Sequence, residues 1–133
     1  MIVVDTTVWI DFLEARETSF DLHLKELIED GTPIALTDII YCEILQGISP
    51  EAKFHRIRDL LRSYPILRVR GLLTFEHAAN IYRAYRKKGL TIRKTADCLI
   101  AAVCLEAEAE VYHNDRDFEA IAKATTVKIY RPR

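Results

Sequence analysis

The sequence predicts an α/β protein, a three-layer sandwich in which helices cover both faces of a small parallel sheet. Short, β-branched apolar runs alternate with segments of helical periodicity along the 133 residues. Strands that are separated by helices pair in parallel, because helical crossovers join such strands easily. The length suits one hydrophobic core, so we expect residues 1–133 to form a single domain.

The predicted strands are brief, and turn signals or helix starts follow most of them. The first, IVV at 2–4, is continuous and β-branched, as a strand buried on both faces should be. The others are read from similar apolar runs. They cover 34–36, 66–69, 110–112 and 127–129.

Seven helices are predicted between and around these strands from apolar spacing and from residues that favour helix ends. Thr6 and Thr7 are expected to cap the first helix, Thr37 and Asp38 to start the third, Pro50 to open the fourth and Thr74 to cap the fifth. The apolar residues of the second helix are expected to include Leu22. The helical segments are 8–13, 20–29, 39–46, 51–61, 75–86, 96–105 and 118–124.

Composition and charge exclude several classes of protein. A formal net charge of −1 gives no global field of the kind that marks a general nucleic-acid binder, although a local patch remains open. No run approaches the roughly 20 apolar residues of a membrane span. The N-terminal run lacks a basic flank and is interrupted by Asp5 and Asp11, so no signal peptide is expected.

The cysteines agree with a reducing compartment. Cys42, Cys98 and Cys104 are odd in number and show no CxxC spacing, so we interpret them as buried, reduced thiols. Together with the missing signal peptide, this predicts a cytoplasmic protein that does not enter a membrane.

Carboxylates fall where a parallel sheet binds its ligands, at the carboxyl ends of the strands. Asp5 ends the first strand, Asp115 and Asp117 follow the fourth, Asp97 lies in the first turn of a helix and Glu43 lies beside the apolar face of another. Each has a structural explanation: helix capping, a favourable interaction with a helix dipole, or partial exposure. Several acids converging on one edge, however, repel each other.

A divalent cation would relieve that repulsion. Oxygen ligands without Cys or His favour Mg²⁺ or Mn²⁺ over zinc. Such an ion can orient a water and stabilise charge on a phosphate. Thr6, Thr7 and Asn114 lie beside the acids and are candidates to bind a metal-bound water or a phosphate oxygen, with capping or turn formation as the alternative for each.

Four motifs match one family in its order along the chain: MIVVDTTVWIDFL, TDIIYCEILQGI, TADCLIAAVCLE and VYHNDRDFEAIA. The second carries a glutamate followed four residues later by glycine, Glu43 and Gly47, and the third carries Asp97 followed by LIAA. Each motif alone is weakly specific, but four in order are strongly specific. On these motifs the chain resembles the PIN-domain ribonucleases, and in particular the VapC-type toxins of toxin–antitoxin modules.

The resemblance implies a metal-dependent endoribonuclease. By motif, Asp5, Glu43, Asp97 and Asp115 correspond to the acidic quartet of the family, and Asp117 to an additional acid. The resemblance further implies Mg²⁺, with Mn²⁺ as a substitute, held by Asp5, Asp97, Asp115 and Asp117. It also implies a homodimer, a VapB-type antitoxin partner, a tRNA or ribosomal RNA substrate, and cleavage by water rather than by the substrate's own 2′-hydroxyl.

A basic stretch, YRAYRKKGLTIRK at 82–94, precedes the Asp97 helix. We predict that it guides RNA phosphates to the acids, with Arg86, Lys87, Arg93 and Lys94 as the contacts. The alternative is a solvated helix face and loop.

Three other functions are alternatives to a ribonuclease. A receiver-like regulatory domain needs an acidic pair after the first strand, and a phosphohydrolase with Asp5 as nucleophile needs a second acid where Thr7 stands. A catalytically inactive PIN-like scaffold that binds RNA or a partner is the third. The complete set of acids argues against it.

Overall fold

Five short parallel strands build the sheet of this computed structural model, which describes residues 1–91 and 94–132. The strands are β1 (Ile2–Val4), β2 (Ile34–Thr37), β3 (Ile66–Leu67), β4 (Glu110–Tyr112) and β5 (Lys128–Ile129). Their order across the sheet is β3-β2-β1-β4-β5. The chain therefore builds outward from β1 in one direction, then crosses over to add β4 and β5 on the other side.

Seven helices are described in the same regions. They are α1 (Thr6–Leu13), α2 (Ser19–Glu29), α3 (Asp38–Gln46), α4 (Glu51–Arg62), α5 (Leu72–Lys87), α6 (Thr95–Glu106) and α7 (Arg116–Ala124). Right-handed crossovers place α1 to α4 on one face of the sheet and α5 to α7 on the other, because the direction of strand addition reverses at β4. Contacts agree, since α1 packs on α2 and α3 while α5, α6 and α7 pack on one another. None of these helices is long and apolar enough to cross a membrane.

The core lies on both faces of the central strands. Every residue of β1 and β2 is buried, as expected for strands covered on two sides. In α6, apolar residues are buried around most of the helix surface, since the sheet lies on one side and α5 and α7 on the other. Trp9, Tyr112 and Phe118 are the largest fully buried side chains of the described residues.

The predicted three-layer fold with a small parallel sheet is confirmed, with differences at the strand ends. β3 stops at Leu67 instead of residue 69, because the Val69 amide donates to the side chain of Asp38, 3.1 Å away, rather than to a strand. β5 begins at Lys128 because the Val127 amide donates to Thr125 Oγ1 at 3.2 Å.

Two capping predictions were wrong. Helix α1 already starts at Thr6, so Thr6 and Thr7 lie within its first turn and Asp5 occupies the capping position. Helix α5 starts at Leu72 after Gly71, whose φ of 60° is easily adopted by glycine, so Thr74 is inside the helix. Thr37, Pro50 and Asp115 do occupy the positions that precede their helices.

Two burial predictions also need correction. Cys98 and Cys104 are buried free thiols, but Cys42 is exposed because it points away from the core face of α3. Burial raises the pKa of Cys98 to about 11 and that of Cys104 to about 12, so both stay protonated. Leu22 is 46% exposed, since Leu24 and Leu27 supply the buried face of α2.

Candidate active site

The sheet has its topological switch point between β1 and β4. The chain leaves β1 toward one face of the sheet and leaves β4 toward the other face. Ligands bind at such points in open parallel sheets. The backbone ties the two strand ends together, since the Asp5 amide donates to the Tyr112 carbonyl at 2.9 Å. Asp5 follows β1 directly and Asp115 follows β4 after two residues, so both acids lie at this edge.

Three carboxylates meet on the β4 side of this edge. Asp97, Asp115 and Asp117 each offer an oxygen within 4.8 Å of the oxygens of the other two. Helix starts position them: Asp97 lies in the first turn of α6, and Asp115 caps α7 by accepting from the Asp117 amide at 2.9 Å. Positive ends of two helix dipoles thus face the same carboxylates. Asp97 Oδ2 is buried and has no hydrogen-bond partner among the residues the structure describes.

Asp5 is coupled to these acids through its charge. It is 4% exposed, and burial, with smaller contributions from the charges of Glu43 and Asp115, raises its pKa to about 6. A hydrogen bond from the Thr6 amide opposes the rise, and Thr7 Oγ1 donates weakly at 3.4 Å. Asp5 is not part of the close group of three within the described residues, so its link to that group is electrostatic.

Asp97 is the most perturbed carboxylate of the cluster. Burial, with smaller contributions from the charges of Asp5, Asp115 and Asp117, raises its pKa to about 7. The charge of Lys94 acts in the opposite direction. A nearby cation would lower the pKa of such a carboxylate, because it favours the ionised form.

Glu43 lies on the β2 side of Asp5, half-buried in the middle of α3. Its Oε1 accepts a hydrogen bond of 2.7 Å from Thr6 Oγ1. This contact gives Thr6 a function that the sequence did not predict, because the two residues are 37 positions apart and only the packing of α1 on α3 joins them.

His113 is the first residue after β4, and its two ring nitrogens face Asp115 and Glu119. Its Nδ1 accepts from the Asp115 amide at 2.9 Å, and its Nε2 lies 3.2 Å from Glu119 Oε1. Burial lowers the pKa of His113, which favours the neutral ring with the proton on Nε2. His113 therefore fixes the backbone turn that carries Asp115.

The cluster fits a divalent cation of the magnesium type. Its donors are carboxylate oxygens, one buried oxygen of Asp97 has no partner among the described residues, and burial and the charges of neighbouring acids raise the pKa of Asp97. Hard oxygen donors of this kind suit Mg²⁺ or Mn²⁺.

The predicted RNA contacts are only partly described. Lys94 is exposed just before α6, near enough to Asp97 to influence its pKa. Arg86 and Lys87 are exposed in the last turn of α5, where Arg86 lies 6.0 Å from the Tyr82 ring centroid, and nothing described brings either residue to the acids. Arg93 lies outside the described residues. Asn114 is exposed beside Asp115.

Comparison with known proteins decides the family. Residues 2–124 match the family model of the PIN domain. The chain is 34% identical over 129 residues to VapC ribonuclease Mb1587 of Mycobacterium bovis, with 96% of each chain covered. The identity and coverage are the same for Ribonuclease VapC11 of Mycobacterium tuberculosis. This chain belongs to the VapC ribonucleases of the PIN-domain family.

Solved structures agree on the PIN fold. A chain in the structure of VapBC2 from Rickettsia felis, bound to a DNA fragment from its promoter, superposes with a TM-score of 0.76 at 19% identity, and 98% of each chain is covered. For VapBC-1 of nontypeable Haemophilus influenzae the TM-score is 0.74 at 20% identity. At these identities the likeness supports the fold.

Proposed function

We propose that this VapC ribonuclease is the toxin of a VapBC pair and cleaves a structured RNA, a tRNA or a ribosomal RNA, with the help of a divalent metal ion. The observation that carries the proposal is the convergence of Asp97, Asp115 and Asp117, each of which offers an oxygen within 4.8 Å of the others. Beside them, a buried oxygen of Asp97 has no hydrogen-bond partner in the described part of the chain. We further propose that residues 1–133 act as one PIN domain.

The acids divide into ligands and a positioning group. Asp97, Asp115 and Asp117 would hold Mg²⁺, or Mn²⁺ in its place, with Asp5 adding charge from the end of β1. The bound ion would supply an activated water and offset negative charge on the phosphate. Asp5, Glu43, Asp97 and Asp115 are the proposed catalytic set.

Glu43 is proposed as the residue that orients the attacking water or adds a metal ligand. Thr6 holds one of its oxygens at 2.7 Å, which leaves the second oxygen to accept from a water. On the other side, the exposed amide of Asn114 is available to a phosphate or ribose oxygen.

Substrate and partners follow from the same assignment. Lys94 beside Asp97, together with Arg86, Lys87 and Arg93, is proposed to contact RNA phosphates. The relatives crystallised as VapBC complexes suggest a VapB-type antitoxin as the inhibitor of this chain. A homodimer acting in the cytoplasm, where the RNA resides, completes the proposal.

The test compares wild type with Asp97→Asn on total RNA, with Mg²⁺, with Mn²⁺ and with EDTA. Wild type should cut discrete sites only with metal. Asp97→Asn should lose more than about 100-fold, because even groups that only support metal ligands cost about 10- to 100-fold. Asp30→Asn removes an equal charge from the exposed C-terminal end of α2 and should keep wild-type activity.

Product ends test the route. A 5′-phosphate and a 3′-hydroxyl are expected from attack by water, whereas a cyclic phosphate would refute it. Wild-type protein that binds RNA but cuts none under any metal condition would point to the inactive scaffold instead. Co-purification with the product of a short neighbouring gene tests the antitoxin.

A further inference from the structure

A cleft of about 430 Å³ opens beside Asp115, on the β5 side of the acidic cluster. Residues of α2, β4, α7 and β5 line it, Phe20 among them, together with the turn after β4 and Tyr130 after β5. Asp115 belongs both to this cleft and to the group of three carboxylates. The two sites therefore adjoin each other at Asp115.

The walls of the cleft are aromatic and already rigid. Phe20 stacks on Tyr112 with ring centroids 6.1 Å apart, and Tyr130 meets Tyr112 edge-on at 5.4 Å. Tyr112 donates to the Phe20 carbonyl at 2.8 Å, while the Tyr130 hydroxyl lies 2.8 Å from His23 Nε2. Phe20 and Tyr130 are only half-buried, so part of each ring faces the opening.

Two of the described residues that line the cleft are arginines, and of these only Arg131 is paired with an acid. Glu119 accepts two hydrogen bonds from Arg131, at 2.9 and 2.8 Å, so these two charges are paired, and His113 Nε2 lies 3.2 Å from Glu119 Oε1. Arg116 is exposed, lines the cleft, and has no hydrogen bond or ion pair with any residue in the described part of the chain. Its guanidinium is free to bind a phosphate.

We propose that this cleft binds one nucleotide of the RNA, next to the scissile phosphate, by stacking its base on Phe20 or Tyr130 and by binding its phosphate with Arg116. The proposal rests on the proposed ribonuclease function. Proteins recognise single-stranded RNA by stacking unpaired bases on aromatic rings and by hydrogen bonding to base edges, and Asn114 at the rim offers an amide for the second task. A cleft whose described residues form aromatic walls and include an unpaired arginine suits a nucleotide better than an aliphatic helix of a protein.

The test uses Phe20→Leu and Arg116→Ala, each in an Asp97→Asn background so that RNA is bound without being cut. The probe is a fluorescein-labelled RNA oligonucleotide that spans the strongest site mapped with the active enzyme, together with versions carrying an abasic residue on either side of that site. Fluorescence anisotropy gives the affinities. Phe75→Leu and Arg56→Ala are the matched controls, an exposed phenylalanine of α5 and an exposed arginine of α4.

One of the abasic versions should bind the Asp97→Asn protein about tenfold more weakly, the size expected for one stacked base, and Phe20→Leu should abolish that difference. Arg116→Ala should weaken binding of every version and reduce the salt dependence. In the active protein, both changes should raise KM with little effect on kcat, and Phe20→Leu should relax the base preference beside the cut.

Equal affinity of variants and controls for RNA would overturn the proposal, even if Phe20→Leu alone were dismissed as misfolded, because Arg116 is a surface residue. Loss of antitoxin binding with unchanged RNA binding would also overturn it. If wild type cuts no RNA, the proposed function fails separately, and a labelled mixed-sequence oligonucleotide tests the cleft by the same comparison of variants.

Discussion

Single side chains act at this site through what they hold in place as well as through their own chemistry. Thr6 and His113 bind no metal in our proposal, yet Thr6 fixes one oxygen of Glu43 and His113 fixes the amide of Asp115. Groups of this kind orient metal ligands, and their loss commonly lowers metal affinity or activity by about 10- to 100-fold.

At this scale we predict the effect of Thr6→Val, which keeps the shape but removes the hydroxyl. Glu43 would lose its 2.7 Å hydrogen bond and turn more freely, so kcat should fall about tenfold. Thr6→Ser, which restores the donor, should recover most of the activity. Steady-state cleavage of a defined RNA measures both, and equal loss in the two variants would show that the hydroxyl is not what matters.

Elements position the acids because each aspartate of the proposed site lies where a strand ends or a helix begins. Asp5 lies at the junction of β1 and α1, Asp115 at the start of α7, and Asp97 in the first turn of α6. Helix starts present positive dipole ends and unpaired amides, which favour carboxylates there. The packing of α6 beneath α5 then decides how firmly Asp97 is held.

A buried contact between α5 and α6 should carry measurable stability. Thr74 is fully buried, donates to Glu106 at 2.8 Å and accepts from the Arg70 amide at 2.7 Å. Thr74→Val leaves both partners without this hydroxyl, so the free energy of unfolding should fall by about 1 to 3 kcal/mol. Urea denaturation measures the loss.

The control for that prediction is Thr126→Val, which alters an exposed threonine and should change stability by less than about 0.5 kcal/mol. Equal stability of the two variants would mean that Glu106 and Arg70 find other partners. Activity should remain near wild type in both, since Glu106 lies at the C-terminal end of α6, away from Asp97 in its first turn.

For the whole molecule, the acidic cluster makes the free energy of unfolding depend on pH. The pKa of Asp5 is raised to about 6 and that of Asp97 to about 7, both from 3.8. Between pH 4 and 7 the folded state therefore holds more protons than the unfolded state, so stability of the metal-free protein falls as pH rises.

We predict that metal-free protein loses about 1 to 3 kcal/mol of stability between pH 5 and pH 7.5 relative to Asp97→Asn, which lacks the ionisable group. Millimolar Mg²⁺ should restore stability to wild type at pH 7.5 but add little at pH 5, because the ion competes with protons. Thermal unfolding with EDTA or Mg²⁺ measures both effects. Parallel pH curves for the two proteins would contradict the assignment of Asp97.

The sequence by itself determined the fold class, and it predicted which acids form the site. Short β-branched runs alternating with helical periods admit few arrangements other than a covered parallel sheet, and acids that follow such strands must share one edge. The motifs around Asp5, Glu43, Asp97 and Asp115 then indicated which family the chain resembles.

Tertiary structure alone decided which side chains meet. The Thr6 contact with Glu43, the support of Asp115 by His113 and the cleft between Phe20 and Tyr130 join residues from elements whose packing no local pattern encodes. It also showed that Thr74 is not a helix cap, because the helix starts at Leu72, two residues before Thr74. Thr74 instead lies inside the helix and makes a buried hydrogen bond. Periodicity fixes which face of an element is apolar, but its neighbours on that face are set by how all the layers pack together.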